Sequence, residues 1–278
     1  MYFRPDSLDE AVHVLASSGG KILAGGTDFY PALGDRPAPA TVVDISAVRE
    51  LKGIVTDEKY FRIGGLTTWT EVIHTPLPRC FDGLKAAARE IGSVQIQNRG
   101  TVAGNLCNAS PAADSVPPLL TLDAELELAS PAGVRRLPLV EFIVGNRKTR
   151  LQAGEILSHV SIPRTAEDAA SVFLKLGARR YLVISIAMVA AVVLQDSTGR
   201  VADARVSVGS CSAVAIRLRE LERALRGAPV AAGLGALVTA DHLNELSPID
   251  DVRSTAAYRR SAAVKLVQRA LDLCAERA

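Results

Sequence analysis

Arg99-Gly100-Thr101-Val102-Ala103-Gly104-Asn105-Leu106-Cys107-Asn108-Ala109-Ser110-Pro111-Ala112-Ala113-Asp114 is the stretch on which the reading of this chain turns. It is rich in Gly, Asn and small residues, and Arg99 and Asp114 are its only charges. A solvated loop is normally more polar, so the stretch is expected to run against something inside the protein. Gly100 and Gly104 permit close backbone approach. Thr101, Asn105, Asn108 and Ser110 offer short polar groups. Ser110-Pro111 reads as an N-cap followed by proline at the first helical position, which predicts a helix starting there. The amides at such an end attract anions. Asp114 on its first turn either caps the helix or accepts bonds from sugar hydroxyls, and the spacing alone favours neither.

A second glycine-bearing stretch lies near the start, Ala24-Gly25-Gly26-Thr27-Asp28-Phe29. Two glycines after a short strand let the chain turn sharply and come close to a ligand. Successive exposed N–H groups then form a concave nest for an anion such as a pyrophosphate, with Thr27 adding a hydroxyl. The stretch lacks GxGxxG, so it is not a Rossmann fingerprint, and no GK[ST] follows, so it is not a P-loop. Taken alone, it also fits a plain glycine turn.

Around these stretches the pattern is β/α and then mostly β. Ser7-x-x-Glu10 reads as a capping box for a helix over 8–17, ended by Gly19-Gly20. Strands are predicted at 21–24 and 41–45, a hairpin at 53–56 and 60–63, and a short helix after Thr68-x-x-Glu71. A helix starts at Asp82 and stops at Gly92, and strands follow at 124–128, 134–137 and 156–162. The polar segment 164–170 makes a boundary. Beyond it lie strands at 172–176, 184–194 and 204–208, then helices near 214–226, 229–243 and 254–276. The last helix carries Ala263, Leu266, Val267, Ala270 and Leu271 on one face. Strands followed by helices imply a separate α+β unit.

Composition narrows the function. The 278 residues are 48% hydrophobic and 22% charged, an ordinary globular balance. Thirty-two basic against 30 acidic residues leave a net charge of +2, without the basic excess of a nucleic-acid binder. The longest apolar run is the nine residues Ile186 to Leu194, against about 20 for a spanning helix. The N-terminus shows no signal-peptide pattern, which predicts a cytoplasmic protein. Cys80, Cys107, Cys211 and Cys274 are widely spaced, as are the four histidines, so no metal or iron–sulfur spacing exists.

Other residues have plainer readings. His74, at a helix end, reads as a partner for the helix dipole. Cys107 reads as a small packed thiol, and Trp69 as core. Arg147-Lys148-x-Arg150 and Arg179-Arg180 are either a solvated face or a dock for an anionic partner or dinucleotide phosphates.

The sequence AGGTD, then GTVAGNLCNASPAAD followed by a Leu-rich segment and LDAELEL, resembles the FAD-binding (medium) subunit of the molybdenum hydroxylases, the xanthine dehydrogenase and carbon monoxide dehydrogenase type. The resemblance covers essentially the whole chain. It takes in Glu155-Ile156-Leu157 to Ile162-Pro163, Phe173-x-Lys175 with Arg179-Arg180, and Pro248-Ile249-Asp250-Asp251-Val252-Arg253-Ser254 with Tyr258-Arg259-Arg260. The long second motif is specific, whereas AGGTD alone is weak.

The resemblance implies an α+β chain. A two-lobed FAD-binding domain of the type-2, PCMH-like class would span 1–166, with lobes of about 1–52 and 53–166. A smaller α+β domain of the carbon monoxide dehydrogenase flavoprotein type, with a three-stranded sheet and helices, would span 170–278. It implies that FAD lies extended between the two lobes, its pyrophosphate held by a first loop of Ile22, Leu23, Ala24, Gly25, Gly26, Thr27, Asp28 and Phe29. The second loop would be Thr101, Val102, Ala103, Gly104 and Asn105. Ser110 and Asp114 match positions that contact the sugar or ribityl part, and Leu157 an apolar position of the pocket. Lys175 matches a basic residue beside the isoalloxazine, and Tyr181 is a candidate cover for the ring or a structural tyrosine. Ile91 stands where some relatives place an aromatic ring, and an aliphatic side chain packs there without stacking.

The resemblance also implies partners. A small iron–sulfur subunit with [2Fe–2S] clusters and a large molybdopterin subunit carrying the molybdenum cofactor would complete the enzyme, as a dimer of heterotrimers. FAD would pass electrons from the clusters to NAD+ or another acceptor. The rival readings are a free-standing FAD oxidoreductase and a non-catalytic scaffold subunit that has lost flavin.

Overall fold

A computed structural model describes all 278 residues, and their contacts divide the chain into two compact units. The first comprises Met1–Thr75, Ser93–Ala109 and Ala124–Pro163. The second comprises Pro76–Gly92, Ser110–Asp123 and Arg164–Ala278. The expected break near 166 is thus one of several crossings.

In the first unit, Ser7 caps the helix Leu8–Ser18 by accepting from the Glu10 amide, and Gly19 ends it at φ 61°. The Glu10 carboxylate reaches back to the amide of Asp6 instead of Ser7, so the capping box is half made. Thr68 and Glu71 make the full reciprocal box ahead of Trp69–His74. A small parallel sheet sets Val42–Asp44 between Tyr2–Phe3 and Lys21–Leu23. A larger antiparallel sheet runs in the order Ile54–Thr56, Tyr60–Gly64, Ile156–Pro163, Glu125–Ser130, Gly133–Pro138. Ala11, Val12 and Leu15 from the helix, Val43, Ile45 and Leu51 from the small sheet's surroundings, and Ala129 and Ile156 from the large sheet share one apolar cluster. The two sheets of this unit are therefore joined by a common core.

In the second unit a four-stranded antiparallel sheet runs Ala170–Leu176, Ala187–Gln195, Val201–Gly209, Ile216–Arg217. The last strand is the addition to the three expected, and it shortens the helix expected near 214–226 to Arg219–Leu225. Ala256–Arg277 is the long C-terminal helix, and it buries Ala263, Val267, Ala270 and Leu271 as the pattern required. The helix expected over 229–243 resolves into two 3-10 turns, Leu234–Leu237 and Ala240–Leu243. Gly233 at φ 89° turns the chain there, and Gly235 lies so close to the Gln268 carbonyl that a Cβ would stand 2.2 Å from its oxygen.

Two earlier segments belong to this unit because they cover its sheet. Helix Asp82–Glu90 packs on Ala170–Leu176, with the Gly83 amide donating to Ser171 Oγ at 3.1 Å. Helix Val116–Thr121 packs on Ala187–Gln195 and Val201–Gly209. Arg217, buried on the last strand, donates to the Leu120 carbonyl and to Asp123, both at 2.7 Å, and pairs with Glu222.

Candidate flavin site

The first glycine stretch leaves the small sheet at Leu23 and enters the short helix Phe29–Leu33. Gly26 turns it at φ 78°. The amides of Gly25, Gly26, Thr27 and Asp28 find no acceptor within the protein. Gly25, Gly26 and Thr27 are half-buried and Asp28 is exposed, so these four donors are left for solvent or for a guest. Arranged in succession through a turn, they form an anion nest.

The second stretch lies directly against the first. A Cβ on Gly25 would stand 1.8 Å from the Arg99 carbonyl oxygen, closer than any real contact. One on Gly100 would stand 3.4 Å from Thr27 Oγ1. Glycine at position 25 is what lets the two backbones touch. Thus the two stretches, 74 positions apart between Gly25 and Arg99 (99 − 25), meet in one unit.

Beyond the contact, the second stretch forms the helix Val102–Asn108, capped by Thr101. The Gly104 amide donates to Thr101 Oγ1 at 3.1 Å, and a Cβ on Gly104 would meet that oxygen at 2.8 Å. The Val102 amide donates to Thr67 O at 3.0 Å, Ala103 to Gly65 O at 3.2 Å and Asn105 to Thr101 O at 3.0 Å. The opening amides of this helix are thus satisfied inside the protein. The free donors belong to the first loop, while the second supplies the wall it rests on. Gly65 in turn lies under Leu157, whose carbonyl a Cβ would meet at 2.5 Å. Leu157 itself is 3% exposed, beside an irregularity in the sheet register.

An open cleft of about 130 Å³ runs beside the contact, with Ala24, Gly25, Ser46, Lys52, Arg99 and Thr101 among its walls. Its lining carries two cations, Lys52 and Arg99, and no carboxylate. Lys52 has no ion-pair partner in the protein. Sequence reasoning missed Lys52, since nothing in its spacing sets it apart from the exposed Lys59 a few residues on.

The other residues expected at the site lie in the second unit, where the structure corrects the helix start expected at Ser110. Ser110 does not cap a helix. Its hydroxyl accepts from the Ala112 amide at 3.3 Å in a turn, and the helix begins only at Val116, with prolines in its first turn. Asp114 is accordingly not a helix cap. It is buried at 7% exposure, and both its oxygens are engaged. Oδ2 pairs with Lys175 Nζ at 2.6 Å, and Oδ1 accepts from Ser185 Oγ at 2.5 Å. Burial pushes the Asp114 carboxyl above its ordinary value, against the pull of Lys175 and Ser185. Lys175 also donates to the Glu90 carbonyl at 3.5 Å. Ile91 follows as the C-cap of Asp82–Glu90, half-buried. Tyr181 is 62% exposed, with the Arg180 guanidinium over its ring at 5.2 Å. Arg179 folds onto the carbonyls of Tyr181 and Leu182.

Elsewhere, His74 Nδ1 meets the Thr70 carbonyl at 2.8 Å at its helix end, and Trp69 is 1% exposed. Cys107 is solvent-accessible on Val102–Asn108, where a packed thiol was expected, although the surrounding protein pushes its thiol up to about 12. Arg147 donates to Asn108 Oδ1. No group of His, Cys, Asp or Glu could hold a metal, and no helix is long and apolar enough to cross a membrane.

A nest of free amides braced by a second glycine stretch, beside a cleft lined by Lys52 and Arg99, defines a site for an anionic group. Comparison with known proteins gives the family. Residues 1–165 match the FAD binding domain in molybdopterin dehydrogenase, and residues 173–273 match the CO dehydrogenase flavoprotein C-terminal domain. The chain belongs to the FAD-binding medium subunits of the molybdopterin dehydrogenases, the xanthine and carbon monoxide dehydrogenase type. It is 35% identical over 237 residues to a nicotinate dehydrogenase FAD-subunit of Eubacterium barkeri, covering 82% of this chain and 80% of that one. It is 35% identical over 272 residues to a putative xanthine dehydrogenase FAD-binding subunit of Escherichia coli K12, covering 95% and 90%. Among solved structures, carbon monoxide dehydrogenase from Hydrogenophaga pseudoflava superposes with a TM-score of 0.91 at 29% identity, over 100% of this chain and 97% of that one. Quinoline 2-oxidoreductase from Pseudomonas putida 86 gives 0.91 at 29% identity, over 99% and 96%.

Proposed function

We propose that this chain is the electron-transferring flavoprotein of a cytoplasmic molybdenum hydroxylase, assembled with a small iron–sulfur chain and a large molybdopterin chain as a dimer of heterotrimers. The observation that carries the reading is the run of unpaired amides from Gly25 to Asp28 braced on Arg99 and Gly100. Bound FAD supplies a carrier that takes electrons singly from iron–sulfur clusters and passes on two, to NAD+ or another acceptor.

The chain's own residues hold and tune that cofactor. The Gly25–Asp28 amides take the diphosphate without a lysine cluster, which suits a net charge of +2. Lys52 and Arg99 add positive potential to the cleft. Lys175 offers a cation to an electron-rich ring and Leu157 an apolar contact, while Ser110, Asp114, Ile91 and Tyr181 complete the set. None of these groups is required to act as a general base.

The test is co-expression with an iron–sulfur chain and a molybdopterin chain, followed by an FAD titration of the purified subunit. A yellow hetero-oligomer whose flavin bleaches when the partner clusters are reduced supports the reading. A chain that stays colourless after FAD is added overturns it and favours the scaffold alternative. Substrate turnover by the isolated chain favours the free-standing oxidoreductase.

A further inference from the structure

We propose that His159 makes the wall of the flavin site responsive to protons, an inference that rests on the FAD-binding function above. His159 stands on Ile156–Pro163, the middle strand of the five-stranded sheet, paired with Gly64 on one side and Glu127 on the other. Its side chain is only 17% exposed, and its Nδ1 lies 3.7 Å from Glu127 Oε2. Glu127 is itself buried and already serves two cations, Arg62 Nη2 at 2.5 Å and Arg136 Nη2 at 3.1 Å, while Ser161 Oγ donates to it at 3.2 Å. Acceptors are scarce here, for Arg62 Nε is buried and finds none. Glu125, the next carboxylate on this face, lies across from Ser161 and takes no ion pair. Tyr60 offers only its ring, 5.6 Å from the Arg136 guanidinium, and the Glu50 carbonyl accepts from the histidine. A proton on His159 therefore gathers a third cation around one carboxylate.

The strand under that load also holds the site. Ser158, next to His159, accepts from the Gly65 amide at 2.6 Å through its carbonyl, and the Gly65 carbonyl accepts from the Ala103 amide at 3.2 Å. Ser158 Oγ donates to the Glu127 carbonyl at 3.0 Å, which ties the same residue to the charged cluster. Ala103 belongs to the second glycine stretch, on which the Gly25–Asp28 loop rests, and every step lies within the first unit. Burial pushes the histidine below its ordinary value of 6.5, Arg62 adds to that push, and Glu127 and the Glu50 carbonyl oppose it. A ring that protonates less readily folded than unfolded costs stability as the medium acidifies through that range, and the whole cost is present below the folded value. The coupling runs both ways: protons that loosen the wall weaken flavin binding, and bound flavin makes the ring harder to protonate.

The experiment titrates FAD into the full chain, wild type and His159→Gln, from about pH 8 to about pH 5.5, across the histidine range. Glutamine keeps a side-chain donor and cannot take up a proton. A coupling of ordinary size predicts about fivefold weaker binding for wild type at the acid end, while His159→Gln holds its affinity across the range. The His159 ring resonances of wild type, followed by NMR, should titrate at lower pH with FAD bound than without. That second measurement carries the test if the glutamine variant fails to fold. Wild type and variant losing affinity in parallel, or a ring midpoint that FAD does not move, overturns the role of His159 and leaves the function standing. Wild type that binds no FAD at either end overturns both.

Discussion

The carbonyl oxygen of Arg99 occupies the space, 1.8 Å away, where a side chain on Gly25 would begin. The contact joins the two glycine stretches through backbone alone. Gly25→Ala must therefore push the loops apart. Overpacking of this kind costs about 1–3 kcal/mol. The expected outcome is a drop in thermal midpoint and at least a tenfold weaker FAD titration. Gly145→Ala, whose new Cβ would meet only Lys148 side-chain atoms at 3.8 Å, leaves both unchanged.

Lys52 lines the cleft without an ion-pair partner and is exposed, so its charge matters for an anionic guest more than for the fold. Lys52→Glu is expected to leave the apo-protein's melting curve within about 0.5 kcal/mol of wild type, as surface changes usually do. FAD affinity should fall severalfold at low salt, and the gap should narrow at high salt as screening grows. Isothermal titration at two ionic strengths reads both.

Thr101 caps Val102–Asn108 through its hydroxyl. Thr101→Val removes the acceptor of the Gly104 amide, and losing such a cap costs about 1 kcal/mol. Unfolding in urea should show the lowered stability with an unchanged slope, and FAD binding should weaken because the wall beneath Gly25 loosens. Thr101→Ser should behave as wild type in both assays.

Arg135 donates to both oxygens of Glu155, at 2.6 and 2.9 Å, and these bonds hold the carboxyl below its ordinary value of 4.5. A folded-state value below the unfolded one means that the contribution is whole at neutral pH and is lost as the medium acidifies below about 4.5. Glu155→Gln should flatten the acid limb of stability against pH. Arg135→Met should cost roughly 1–2 kcal/mol at pH 7, less than for a fully buried partner because Arg135 is partly exposed and screened. Asp114 has the opposite sign: its raised value means that acidification relieves part of its burial penalty.

The sequence was most legible where chemistry is local. Thr68 and Glu71, three apart, announce a helix start by their own side chains, and the 3.6-residue rhythm of Ala263, Val267, Ala270 and Leu271 marks a buried face. Val102–Asn108 was hidden because Gly104, Asn105 and Asn108 are poor helix formers, and only the Thr101 hydroxyl gave a clue. Ser110-Pro111 carried a start signal that a turn also satisfies. The pairing of Asp114 with Lys175 spans 61 positions and depends on which strands cover which helices, so no spacing rule reaches it. For the same reason the meeting of Gly25 with Arg99 follows from neither stretch alone, and only the family likeness makes it expected.

The stretch from Thr101 to Asn108 closes its own hydrogen bonds on Gly65, Thr67 and Thr101, with no guest required. A helix start whose amides are already taken up inside the chain can brace the neighbouring loop but keeps no donors of its own to offer.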